Sequence, residues 1–232
     1  MRELDWGNAV DALTVGYENL TEAVGKLDEA ALQRPTRCSG WTVGDVLYHQ
    51  LLDARRALRT FASPSAAEAD VDDVSYWRPF SPHSGQPFAL GSVEAAEHAR
   101  HVRIVAAAYP PGALVWEWRE TAGAACRAAR ACPYDRVTTQ GHVLRTEDFV
   151  KTLAVEAAIH FLDLTVELPS PPPPAAEPLA LVRRVLDGLL GAAVPYDWDD
   201  STYALKGTGR VPLTDGERAA LGPLAEHFPL FG

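Results

Sequence analysis

Residues 147–165, EDFVKTLAVEAAIHFLDLT, set the reading of the whole chain. The spacing predicts one amphipathic helix. Thr146 is the expected N-cap, and Glu147 and Asp148 put negative charge in the first turn, where the helix dipole favours it. At about 3.6 residues per turn, Phe149, Leu153, Glu156, Ala157, His160 and Leu164 share one face. That face is otherwise apolar, so Glu156 and His160 are two ionisable groups one turn apart on a stripe that belongs in a core. Buried without partners, they would cost several kcal/mol. Two arrangements relieve this. A carboxylate and an imidazole at i and i+4 can converge on one metal ion, or they can form a simple hydrogen-bonded pair at the edge of a bundle. Asp163 follows three residues after His160, within reach as an outer partner of the imidazole.

Outward from this helix, the pattern stays helical. Residues 4–31 carry Trp6, Val10, Leu13, Tyr17, Leu20, Val24 and Leu27 at alternating steps of four and three, a bundle-facing seam. Pro35 and Gly40 break the chain. Thr42 and Asp45 then form a capping box for a helix to about Phe61, whose apolar face is Val43, Leu47, Leu51, Ala54, Leu58 and Phe61. His49 lies off that face, and periodicity alone makes it a surface histidine. Residues 62–91 lack periodicity and hold the aromatic patch Tyr76, Trp77 and Phe80, which reads either as a lid or as a plug between helices. Ser92 caps a helix over 93–108. It carries His98 and His101, a rival metal pair on what reads as a solvated, mixed-charge face. A further helix spans 113–131, with a short extended piece expected at 137–143.

The run ELPSPPPPAAEP at 167–178 favours polyproline II and marks a boundary. The predicted organisation is a helical bundle in residues 1–168, a Pro-rich linker in 169–178 and a small α/β subdomain in 179–232. In the last, 179–193 is a helix, 202–213 a hairpin turning at Gly207 to Gly209, and Thr214 with Glu217 a capping box for a final helix. The fold class is therefore mainly α.

Composition narrows the function. The 232 residues are 47% hydrophobic, enough for a packed core. The net charge of −10 comes without a basic cluster, which excludes a nucleic-acid partner. No apolar run is long enough for a bilayer, and MRELDWGNAV has no signal-peptide core, so a cytoplasmic protein without a membrane partner is expected, as monomer or homodimer. Cys38, Cys126 and Cys132 suit reduced, packed thiols rather than a disulfide framework. Lysine occurs only at Lys26, Lys151 and Lys206, and Ile and Asn are scarce. This codon bias points to a GC-rich genome.

Two motifs carry a resemblance. GWTVGDVLYH (40–49), with Trp41 ahead of His49, resembles the second-helix signature of DinB-like four-helix bundles, in particular their mycothiol-dependent maleylpyruvate isomerase branch. EAAIHFLDL (156–164) is similar to that branch's second signature, Glu-x3-His-x2-Asp. GTGRVPLTDGERAALG (207–222) resembles the C-terminal segment often appended to these bundles. The resemblance implies a divalent metal, usually zinc, held by His49, Glu156 and His160, with Asp163 as an outer partner. For His49 it overrides the surface reading. Two His and one Glu leave coordination positions open, as in catalytic zinc sites. It further implies a thiolate activated against a small electrophile. The thiol is mycothiol in actinobacteria, the case the GC-rich bias favours. Arg210 is the candidate for gripping an anionic group, set against a plain role as a solvated hairpin charge. Competing functions are a non-catalytic DinB-like binding protein and a different metalloenzyme, since the same donors suit Fe(II).

Overall fold

The seam on the first helix folds as its spacing requires. In the computed structural model, α1 (Arg2–Val24) buries Val10, Leu13, Tyr17, Leu20 and Val24. The structure describes residues 2–86, 89 and 92–232. Residues 87, 88, 90 and 91 of the expected 62–91 loop, and the side chain of Trp6 in the expected seam, lie outside the described part. The first helix stops at Val24 rather than running to residue 31. A Cβ on Gly25 would meet the Thr21 carbonyl oxygen at 2.8 Å, and the chain turns there into the short α2 (Glu29–Leu32), capped by Asp28.

α3 (Val43–Phe61) opens on the Thr42–Asp45 capping box, and α4 (Val93–Ala106) on Ser92, both as expected. α5 (Ala113–Ala131) follows Gly112, whose φ of +73° is the left-handed turn that glycine permits. The extended piece at 137–143 is an antiparallel hairpin, β1 (Arg136–Thr139) with β2 (His142–Arg145). Gln140 and Gly141 form its two-residue turn, with φ of +48° and +82°. α6 (Thr146–Leu164) then returns through the centre, followed by α7 (Ala176–Leu190), α8 (Asp200–Gly207) and α9 (Asp215–Leu221).

Four long helices close a ring: α1 packs on α6, α6 on α3, α3 on α5, and α5 back on α1. α7 covers α6 and α1, and α8 packs on α7 and α6. One contiguous hydrophobic core runs through the bundle and the helices after the prolines. Asn19 fixes the proline run to α1: its Nδ2 donates to the Pro173 carbonyl at 3.0 Å, and its Oδ1 accepts from the Ala175 amide at 3.0 Å. Among the described residues, no helix is long and apolar enough to cross a membrane.

The mainly α class holds, with a small two-stranded piece, but three local expectations are corrected. α6 is not one-sided; it is buried on nearly every side, because α1, α3 and α7 surround it. Thr146 is not its cap. The Thr146 hydroxyl donates to the Tyr134 carbonyl at 2.5 Å, and Arg145 occupies the cap position. The expected hairpin at 202–213 is instead α8 and a bend. Asp199 caps α8 by accepting from the Thr202 amide at 2.6 Å, and Tyr203 and Ala204 are buried together in the core. The strands therefore lie before α6 and not after the prolines. The capping box of Thr214 and Glu217 forms as expected.

Candidate functional site

α3 delivers His49 to the mouth of the bundle. Its seam residues Val43, Leu47, Leu51 and Ala54 are in the core, so His49 does stand off the seam. It is nevertheless no surface histidine. The flank it occupies is covered by α6 and α4, and its ring lies 4.8 Å from that of His160 and 5.5 Å from that of Trp41. Periodicity identifies the seam that faces the ring of helices; it says nothing of which other flank a neighbour covers.

α6 supplies the other groups. His160 Nε2 lies 3.2 Å from Glu156 Oε2, one helical turn back, and His160 Nδ1 lies 3.0 Å from Asp163 Oδ2, one turn on. Asp163 is fully buried and meets three partners. Arg210 Nε donates to Oδ1 at 3.2 Å, Arg210 Nη2 to Oδ2 at 3.1 Å, and Cys38 Sγ lies 3.2 Å from Oδ2. Arg210 is thus not a solvated hairpin charge. The bend after α8 turns it inward, and its Nη1 also donates to the Thr208 carbonyl at 3.1 Å.

The loop that carries Cys38 and Trp41 is docked on the carbonyl end of α6. The Arg37 guanidinium donates to the Leu162 carbonyl and its amide to that of Asp163 at 3.2 Å. Such a contact satisfies carbonyls that a helix end leaves unpaired. By its sequence context alone, Cys38 is expected only as a packed thiol. Its place in PTRCSGWT, beside the Trp41 motif, was the available signal.

The charges follow from the geometry. Burial pushes the His49 imidazole down to about 4, so it is neutral near pH 7 and has a lone pair to offer. Burial works against the Glu156 carboxylate, but its hydrogen bond with His160 and the charges of His160, His49 and Arg56 hold it at about 2. Burial also opposes charge on Asp163, and Arg210 with His160 holds it well below the usual carboxylate range. His160 is pushed the other way: against burial, Asp163, Cys38 and Glu156 raise it well above the ordinary imidazole value.

His49, Glu156 and His160 each offer a donor atom, and the three atoms all lie within 4.8 Å of one another. Two ligands on one tetrahedral zinc, each at about 2.0–2.1 Å, stand roughly 3.3 Å apart. The His160–Glu156 separation of 3.2 Å matches that edge. Two imidazoles and one carboxylate also have the chemistry of an open zinc site. A second group, Cys38, His160 and Asp163, is equally close-set. It fits a cation poorly, because Arg210 places a positive charge on both Asp163 oxygens. The rival pair on α4 separates: His98 turns inward, with Nε2 3.3 Å from His49 Nδ1, while His101 is exposed.

Around the mouth, Arg56 bonds Asp53 Oδ1 at 2.8 Å, the Tyr76 hydroxyl at 3.1 Å and the Gln140 side chain at the hairpin tip. Tyr76 and Trp77 are buried, and Trp77 stacks 4.7 Å from Phe231. The aromatic patch therefore fills a gap between elements. The chain leading to it runs along the hairpin, where the Ser65 amide donates to Arg136 and the Asp70 amide to Val143, both at 3.0 Å.

The family model described as mycothiol maleylpyruvate isomerase N-terminal domain matches residues 13–165. That span contains His49, Glu156, His160 and Asp163 and ends before Arg210. No curated protein and no solved structure matches the chain.

Proposed function

The chain belongs to the mycothiol maleylpyruvate isomerase N-terminal domain family, and from that premise we propose that it is a divalent-metal-dependent enzyme joining a low-molecular-weight thiol to a small electrophile. The observation that carries this reading is the convergence of donor atoms from His49, Glu156 and His160 within 4.8 Å at the bundle mouth. The expected ion is zinc and the expected thiol mycothiol. A bound divalent cation would supply the Lewis acidity that keeps a thiol deprotonated near neutral pH.

The rest falls to the chain's own residues. Neutral His49 and ionised Glu156 would hold the cation together with His160, which its carboxylate neighbours favour protonated and which would release its Nε2 proton on binding; a position for a guest would remain. Asp163 accepts the Nδ1 proton of His160, so that Nε2, once it gives up its own proton, would face the cation shared with Glu156. Arg210 keeps Asp163 ionised and oriented for that task. A thiol that adds to a conjugated double bond and is then expelled leaves an isomerised product. A thiol that stays gives S-transfer. We assign the ligands to a bundle of residues 1–168 and Arg210 to a C-terminal unit of residues 179–232, joined by the linker 169–178. The same division puts the grip on Asp163 outside the matched span.

The test is thiol consumption. Zinc-loaded protein, mycothiol and an activated haloarene are mixed and free thiol is followed. Consumption above the uncatalysed rate, abolished in Glu156→Gln, is expected. A rate equal to that of the buffer control would overturn the enzymatic reading.

A further inference from the structure

His49 has a neighbour at each ring nitrogen. His98 Nε2, on α4, lies 3.3 Å from His49 Nδ1, with the two rings 5.5 Å apart at 75°. His49 Nε2 lies 4.0 Å from Asp53 Oδ2, beyond hydrogen-bond reach, and that oxygen is buried without a partner. Arg56 pins the same carboxylate through Oδ1 at 2.8 Å, holding it back from the ring. In a neutral imidazole one nitrogen carries the proton and the other a lone pair, and only the second can bind a cation. Whichever neighbour takes the proton therefore decides which nitrogen of His49 faces the ion.

We propose that His98 is a positioning residue whose Nε2 accepts the Nδ1 proton of His49, so that His49 presents Nε2 to the cation shared with Glu156 and His160. The geometry of α4 supports the assignment. Val102, one turn beyond His98, is the residue of α4 buried in the core, and α4 packs against α3. His98 is thus on the side of a largely exposed helix that faces α3. A metal-bound imidazole is ordinarily oriented by a partner on its other nitrogen, and losing such a partner lowers metal affinity by about 10–100-fold. His160 has Asp163 in this role; His49 has His98. The inference rests on the ligand reading above.

The experiment compares wild type, His98→Ala, His98→Gln and His160→Ala. Zinc affinity is read by chelator competition, and the His49 tautomer by long-range proton–nitrogen spectra of histidine-labelled protein. Wild-type His49 is expected to carry its proton on Nδ1. His98→Ala should lose that preference and bind zinc about 10–100-fold more weakly. His98→Gln, whose side-chain oxygen accepts the same proton, should recover most of the affinity. A proton on Nε2 of His49, or wild-type affinity in His98→Ala while His160→Ala has lost its zinc, overturns the role of His98 alone. If wild type itself takes up no zinc, the ligand reading fails and this inference falls with it.

Discussion

Arg210 grips Asp163 with two nitrogens, Nε 3.2 Å from Oδ1 and Nη2 3.1 Å from Oδ2, across 47 residues of sequence. The carboxylate is fully buried, so its charge depends on that cation. Arg210→Ala should destabilise the protein by about 3–5 kcal/mol, because it leaves a buried carboxylate without its strongest partner. Adding Asp163→Asn to that variant should recover part of the loss. Urea unfolding of the two single variants and the double variant checks this, and strictly additive losses would contradict it.

Asp163 also orients His160, at 3.0 Å from its Nδ1. Asp163→Asn keeps the shape but offers a weaker acceptor, and it can present an amide donor to the ring. Zinc affinity should fall by about 10–100-fold while the fold is retained. Chelator competition alongside far-ultraviolet circular dichroism separates the two effects.

A second ion pair ties the C-terminal helices together. The Lys206 ammonium donates to Glu217 at 2.8 Å, and the Trp198 indole donates to the other oxygen at 2.9 Å. Lys206, with Thr214 and Trp198, holds Glu217 at about 2, below its ordinary 4.5. A depressed carboxylate favours the folded state above the ordinary value, and that contribution is lost as pH falls through the lowered one. Wild type should therefore exceed Glu217→Gln in stability near neutral pH, with the gap closing between pH 4.5 and about 2. Denaturation midpoints across that range test it; a gap independent of pH would count against the pair.

Gly207 ends α8 where it meets α7. A Cβ there would lie 2.7 Å from both methyl carbons of Leu186, a fully buried side chain. Gly207→Ala should cost about 1–3 kcal/mol by overpacking, and Leu186→Val in the same chain should relieve part of it. Thermal unfolding of the single and double variants is the check.

The helices were largely legible because seams and caps are local. Val10 to Val24, the Thr42–Asp45 box, Ser92 and the Thr214–Glu217 box all appear where spacing and side-chain chemistry put them. What was not legible depends on who covers whom. The pattern of α6 shows one polar-bearing stripe, yet three helices bury it all round. His49 is off its own seam, and only the placement of α6 and α4 explains why it is not in water. In the C-terminal part, Gly207 and Gly209 are the residues of a hairpin turn by type. They instead end a helix and, at a φ of +74°, bend the chain beyond it. That bend is what turns Arg210 inward. A contact between residues 163 and 210 leaves no local trace in sequence.

Zinc content reports whether His49 of α3 and Glu156 and His160 of α6 share one cation. Wild type, His49→Ala and His160→Ala are loaded with zinc, desalted and measured by plasma mass spectrometry against protein concentration. About one zinc per wild-type chain and close to none in either variant are expected. Equal zinc in all three would contradict it.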